Sequence, residues 1–190
     1  MAESLNQNKR EKMKNIIIAT LISAFTLPAL AASDTPYAGQ QKRDIKALSQ
    51  HEISGYLNGK GLGYAKAAEL NQYPGPKHVL ELSKELDLSK EQIKQSQHIF
   101  DQMKVYAVAL GEQFIAKEQE LDKRFSENAI DDESLALLLS EIGALKTKLR
   151  YVHLKSHLEQ KAILTKHQVQ MYDQLRGYGK AVNNKHHHEH

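Results

Sequence analysis

Between Leu88 and Thr165, apolar residues recur at three- and four-residue intervals along two long segments joined by a short polar turn. In the first segment Ile93, Phe100, Ala107, Phe114 and Leu121 stand seven positions apart. Met103 and Leu110 fill the intermediate places, and Ser96, Lys117 and Arg124 interrupt them. The pattern predicts a helix from Ser89 to about Phe125 with a coiled-coil-like seam and polar breaks. At 1.5 Å per residue such a helix is about 55 Å long. In the second segment Leu135, Leu138, Ile142, Leu145, Leu149 and Val152 keep the three–four spacing. Asp131, Asp132 and Glu133 stand on its first turn, where the helix dipole favours negative charge. The intervening turn, 126–130, is too short for anything but an antiparallel return. The expected fold is therefore all-α: a long antiparallel helical hairpin with shorter flanking helices.

The hairpin is bracketed by two copies of one five-residue pattern, Leu88-Ser89-Lys90-Glu91-Gln92 and Leu164-Thr165-Lys166-His167-Gln168. Each reads as a helix start. The Ser89 or Thr165 hydroxyl accepts a first-turn N–H, and Gln92 or Gln168 reaches back to the N–H of the cap residue. Leu88 with Ile93, and Leu164 with Val169, form the accompanying hydrophobic staples. The last helix starts at Thr165, turns Val169, Tyr172 and Leu175 inward, and stops at Gly177.

Upstream, the polar stretch from Asp34 to Lys46 reads as a mobile arm. Ser49 with Glu52 forms a capping-box pair for a short helix whose apolar face is Ile53, Tyr56 and Leu57. Asn58-Gly59-Lys60-Gly61-Leu62-Gly63 breaks it before a helix-prone stretch, Tyr64 to Leu70. Three alternating glycines suit an anion-binding loop, but no strand precedes them, and the plainer reading is a flexible connector. Tyr73-Pro74-Gly75-Pro76 is a rigid turn, with Pro76 suited to the first position of a helix that runs to Leu86. Four regions follow: 1–31, 32–72 as a polar arm with short helices, 73–178 as the helical domain, and 179–190 as a tail.

Residues 1–31 read as a secretory signal peptide. Lys9, Arg10, Lys12 and Lys14 precede an apolar run from Ile16 to Leu30, and Ala29-Leu30-Ala31 is a small-x-small cleavage site. The run is shorter than the roughly 20 residues of a membrane span, so membrane attachment would require the signal to stay uncleaved. Met13 is an alternative start. Removing 1–31 takes four basic and two acidic residues from the 26 and 23 of the whole chain, leaving 22 against 21. The apparent basicity thus resides largely in the signal, and a nucleic-acid partner loses its support. An exported chain without cysteine must hold its fold by packing or oligomerisation rather than disulfides.

All ten histidines remain after cleavage. His153 and His157, at i and i+4, stack on one helix face, a common arrangement for a transition metal. A third ligand is required. His78 stands 11 residues before Ser89 and His153 stands 12 before Thr165, so side-by-side caps would set both back by about 17 Å. Glu81, Glu85 or Glu159 could add an oxygen. The alternative is that the pair lies at a surface or interface without a metal. This pair is not a protease site, because Leu154 occupies the place where the HExxH pattern needs its glutamate. No nucleophile–base arrangement suggests another enzyme. His186, His187, His188 and His190 form a second candidate site for zinc, copper or nickel. Glu189 interrupts that run, which argues against an added tag. Finally, Lys117, Arg124, Lys146, Arg150 and Lys155 interrupt an apolar stripe that two helices cannot bury alone. A partner is expected: a second copy of the chain, or an unfolded client held on mixed apolar and charged surface.

The two capped motifs resemble the LTxxQ repeats of the Spy/CpxP/ZraP/CnrX group of exported stress proteins, with serine for threonine in the first copy. The resemblance covers about residues 73–178. It implies a four-helix, cradle-shaped antiparallel homodimer in the periplasm. It also implies action as an ATP-independent chaperone, as a partner of an envelope sensor kinase or sigma-regulator, or as a heavy-metal sensor. The metal-responsive branch draws ligands from helix histidines, carboxylates or a His-rich terminus, and His78, His153, His157 and the tail are most similar to that branch. The segment before Tyr73 has no placeable counterpart and would form an additional cap.

Overall fold

A computed structural model describes residues 35–179, and the signal and tail assignments fall outside them. The elements below all belong to the unit that begins at Gly39. After a 3-10 turn at Gln40–Lys42 come α1 (Gln50–Leu57), α2 (Lys66–Glu69), α3 (Pro76–Glu81), α4 (Lys90–Ser126), α5 (Asp132–Ile163) and α6 (Lys166–Leu175). No strand occurs among the described residues. The fold is all-α, as the apolar periodicity predicts.

The 37-residue α4 and the 32-residue α5 form the hairpin. Ser89 caps α4 and Asp131 caps α5, each with a reciprocal capping box. The turn between them closes with Asn128 in the left-handed region at φ 53° and the Ala129 N–H on the Arg124 carbonyl. Thr165 caps α6 in the same reciprocal way.

The two predicted caps do lie side by side, and their glutamines join them. Gln92 Nε2 donates to Gln168 Oε1 at 2.9 Å, and Gln168 Nε2 donates back to Gln92 Oε1 at 3.1 Å. The same two amides also bond the Ile163 and Leu86 carbonyls, at 2.9 and 3.2 Å. Each glutamine thus serves its own helix and its neighbour's. Thr165→Ala should cost about 1 kcal/mol, read as a shift in the urea midpoint. An unchanged midpoint would show that the cap contributes nothing beyond its hydroxyl's exchange with water.

Two apolar clusters hold the fold, the smaller at this junction and the larger farther along the hairpin. The larger holds Ile45, Leu48, Tyr56, Phe114, Ile142, Leu145 and Leu149, and the smaller holds Val79, Leu86, Leu88 and Tyr172. Ile45 and Leu48 are buried, so the stretch expected to be a mobile arm is anchored at its end. Three further expectations need correction. The helix expected to reach Leu86 stops at Glu81, and a series of turns with Asp87 at φ 47° carries Leu86 and Leu88 onto Tyr172. The predicted Tyr64–Leu70 helix shrinks to Lys66–Glu69. Leu57 and Leu175, assigned to inner faces, are exposed, because each closes its helix where the apolar face runs out.

α1 crosses α4 at Gly111. A Cβ there would lie 2.7 Å from the Tyr56 carbonyl oxygen, a backbone atom that cannot step aside. Replacing a helix glycine by alanine ordinarily stabilises by up to about 1 kcal/mol. At this position overpacking of about 1–3 kcal/mol opposes it. Gly111→Ala should therefore lower the thermal midpoint, and a higher midpoint would mean that α1 does not sit against α4 in solution.

Candidate metal centre

His153 and His157 lie one turn apart on α5, and both are buried. With half-buried His78 on α3 they line a single cleft of about 590 Å³. The Gly59–Gly63 segment, α2 and the Tyr73–Pro76 turn close over this stretch of α5, so the connector of the sequence reading is one wall of the cleft.

His157 is the most firmly oriented of the three. Its Nδ1 lies 2.7 Å from the Tyr73 carbonyl, which can only accept, so Nδ1 carries the proton and donates. Nε2 then presents a lone pair. Glu69 Oε2 stands 3.6 Å from the same Nδ1. The Glu69 carboxylate accepts a 2.5 Å bond from the Tyr172 hydroxyl, and Arg176 Nε lies 3.7 Å away. Burial, and then this bond to a carboxylate, push the Tyr172 phenol above its usual range. Gly75 passes directly over the imidazole: a Cβ there would fall 2.9 Å from His157 Nε2 and 3.4 Å from Glu69 Oε2. Only glycine leaves that space beside both donors.

The His153 ring stacks on Tyr64, with centroids 6.1 Å apart and planes at 20°. The Tyr64 hydroxyl is 3.2 Å from that of Tyr56, which ties the cleft wall to the larger apolar cluster. Burial, reinforced by the neighbouring His157, pushes the His153 imidazole down to about 4. It is neutral at physiological pH, the form that ligates a metal. The His78 ring meets Glu81 Oε2 at 2.8 Å, and this contact, with a second from Lys77, holds the Glu81 carboxyl below its ordinary value.

The length argument thus places His78 in the right cleft. It does not make a cluster: among the described residues no three His, Cys, Asp or Glu side chains converge closely enough to hold an ion. Of the proposed oxygen donors, Glu81 binds His78, Glu85 is exposed, and Glu159 pairs with Lys155 elsewhere on α5. The carboxylate beside His157 is instead Glu69, which the sequence reading did not single out. Its one signal is weak: an acid among the small and apolar residues Ala67, Ala68 and Leu70. The His186, His187, His188 and His190 site lies outside the described residues. Imidazole and carboxylate are donor types that zinc, nickel and copper take, but here they are not gathered around one point.

A second concavity, an open groove of about 980 Å³, runs between α4 and α5 near Ile99, Met103, Val152 and Ile163. Tyr106 and Tyr151 also line it and are largely exposed, at 58% and 61%. No helix among the described residues is long and apolar enough to cross a membrane. Compared with models of known protein families, with curated proteins and with solved structures, the chain finds no match.

Proposed function

We propose that this chain is an exported, periplasmic stress-response protein that binds a divalent transition metal, in the manner of the metal-responsive branch of the Spy/CpxP/ZraP/CnrX group. The observation that carries the reading is that His78, His153 and His157, far apart in sequence, line one cleft with Glu69 beside them. His153 and His157 would supply two ligands, and His78 or Glu69 would have to move in to complete the set. In this reading the protein senses or buffers metal; it is not an enzyme and does not bind nucleic acid. It works as a homodimer with a cradle-like face, and signals to an envelope sensor kinase or sigma-regulator. Titration with zinc, using a chain whose four tail histidines are alanine, tests the site. Saturable binding should fall at least about tenfold in His153→Ala and in His157→Ala, the loss expected when a ligand or its supporting group is removed. Undiminished binding in both variants would remove the cleft from consideration.

The groove between α4 and α5 favours a second reading, an ATP-independent chaperone without a specific metal role. Its two exposed tyrosines and apolar floor offer the mixed surface that an unfolded client needs. Suppression of client aggregation that is equal with and without zinc would favour it.

A further inference from the structure

One stripe of α4 runs beneath the N-terminal segment. Gly111 meets the Tyr56 backbone, and Phe114 meets the Tyr56 ring. Asp122 accepts from Lys46 twice, from its backbone N–H at 3.2 Å and from its Nζ at 2.9 Å. Glu118 stands between Phe114 and Asp122, four residues from each. Residues at that spacing share a helix face, and Tyr56 feels the Glu118 charge. The carboxylate therefore lies where residues 39–57 cross α4. Glu118 is buried, yet it makes no hydrogen bond or ion pair among the described residues. Desolvation holds its carboxyl above the ordinary value, against the opposite pull of Lys146 on α5. A buried carboxylate without a partner is costly when charged and far less so when protonated.

The rest of the segment is built like a strap. Ile45, Leu48 and Tyr56 grip Phe114, Ile142, Leu145 and Leu149, and Lys46 on Asp122 is the clip. Beyond α1 the chain turns at Gly59, Leu62 and Gly63, with φ of 64°, 42° and 85°. A leucine in the left-handed region is strained and must be held there by its surroundings. Leu62 is held by its packing on Gly55, where a Cβ would fall 2.6 Å from the leucine side chain.

We propose that residues 39–57 form a releasable strap over the apolar face of the hairpin, and that the negative charge of Glu118 drives its release. The proposal goes beyond the metal reading and does not rest on it. With the strap closed, the Glu118 carboxyl holds its proton more tightly than with the strap open, where water solvates the charge. Closure is therefore firmest at low pH, where both forms are protonated, and weakens as pH rises through the value of the closed form. Opening uncovers Phe114, Ile142, Leu145 and Leu149. Other titratable groups gather here. On α1, burial pushes the Tyr56 phenol up, so it stays neutral, and the bond from Ser49 keeps Glu52 charged. His51, also on α1, is exposed and acts on Glu52. Lys117 is held by Glu141 and Glu120, and Asp122 by Lys46.

Amide hydrogen exchange on the full chain, corrected for the intrinsic effect of pH, tests the strap. The α1 amides report its opening, and those of central α4 and of α6 report opening of the whole fold. Relative to α4, α1 protection should fall at least about threefold between pH 5 and pH 8, the scale set by an unpaired buried charge. Glu118→Gln keeps the shape and removes the charge. It should raise α1 protection at pH 8 by a similar factor and abolish the fall, which separates Glu118 from every other titrating group nearby. Asp122→Asn weakens the clip and should lower α1 protection at both pH values while leaving α6 unchanged. Relative protection that is constant or rises with pH in the parent would overturn the proposal, as would an undiminished fall in Glu118→Gln. Exchange of α1 in step with α4 and α6, in the parent and in both variants, would show that residues 39–57 are fixed core and would overturn it as well.

Discussion

Phe114→Ala is expected to remove about 3–5 kcal/mol of stability, the usual cost of deleting a fully buried phenylalanine. Phe114 is wholly buried on α4. Its ring lies 4.8 Å from that of Tyr56 on α1, and it shares a cluster with Ile142, Leu145 and Leu149 of α5. It is therefore a side chain at which both long helices and the N-terminal segment meet. The Lys146 ammonium over its ring, 5.3 Å from the centroid, adds little by comparison. The site has little freedom to collapse, because Gly111 already brings the Tyr56 backbone against α4 one turn away. The loss should therefore fall in the upper part of that range. It would be read as a lower urea midpoint at an unchanged slope. A loss below about 1 kcal/mol would mean that α1 and the hairpin do not share a core.

What the residues disclose about this fold depends on the range of the interaction that decides each element. Ser89 and Thr165 fix their helix starts through contacts three residues away, as local chemistry predicts, while Asp131, read as a charge on the first turn, stands one place earlier as the cap itself, paired with Ser134. The middle of the seam was legible for the same reason, since Ala107 and Phe114 recur at a helical period and are buried, but Ile93, expected to begin the seam and to staple onto Leu88, is exposed. Ser96, read as a break, is completely buried, because Gln160 donates to its hydroxyl at 3.0 Å from the partner helix. A polar pair made across the hairpin leaves no trace in the periodicity of either strand of sequence. Ile45 and Leu48 were missed for a related reason. Two apolar residues in a polar stretch gain their burial in a cluster completed by Phe114 and by α5, some 70 to 100 residues later.

The candidate centre divides in the same way. His153 and His157 were visible as an i, i+4 pair, and His78 followed from the matched distances to the two caps. Glu69 was not visible, because its place is set by Tyr172, 103 positions away, and by Arg176. The role of the glycine segment was equally hidden. Gly59, Lys60 and Gly61 read as a connector, yet they border the cleft because α1 ends against α4 and turns the chain back toward α5. Close approach of backbone to a ring, as Gly75 makes to His157, has no periodic signature.

In the metal-free protein, lowering the pH from 6.5 to about 4 should cost about 3 kcal/mol of stability through His153 alone. An unfolded chain protonates this imidazole near 6.5. The folded chain does not do so until about 4, because burial and the adjacent His157 disfavour the charged form. Across that window the unfolded state binds one more proton, so stability rises with pH and is lost as pH falls. At 1.36 kcal/mol per pH unit, the gap of about 2.5 units sets the size of the effect. The groups facing the ring do not offset it: Tyr64 stacks on it without charge, and His157 would only add repulsion on protonation. The lowered carboxyls of Glu52, Glu81, Glu120 and Asp131 add their own losses only nearer or below pH 4.5. Urea midpoints at half-unit intervals measure the slope, and His153→Leu should flatten it between pH 6.5 and 4.5 even if it lowers stability overall. An equal slope in that variant would assign the acid sensitivity to other groups and would leave His153 exposed to water in the folded chain. Zinc bound at the cleft should steepen the same dependence, since the ion and the proton compete for the same ring nitrogens.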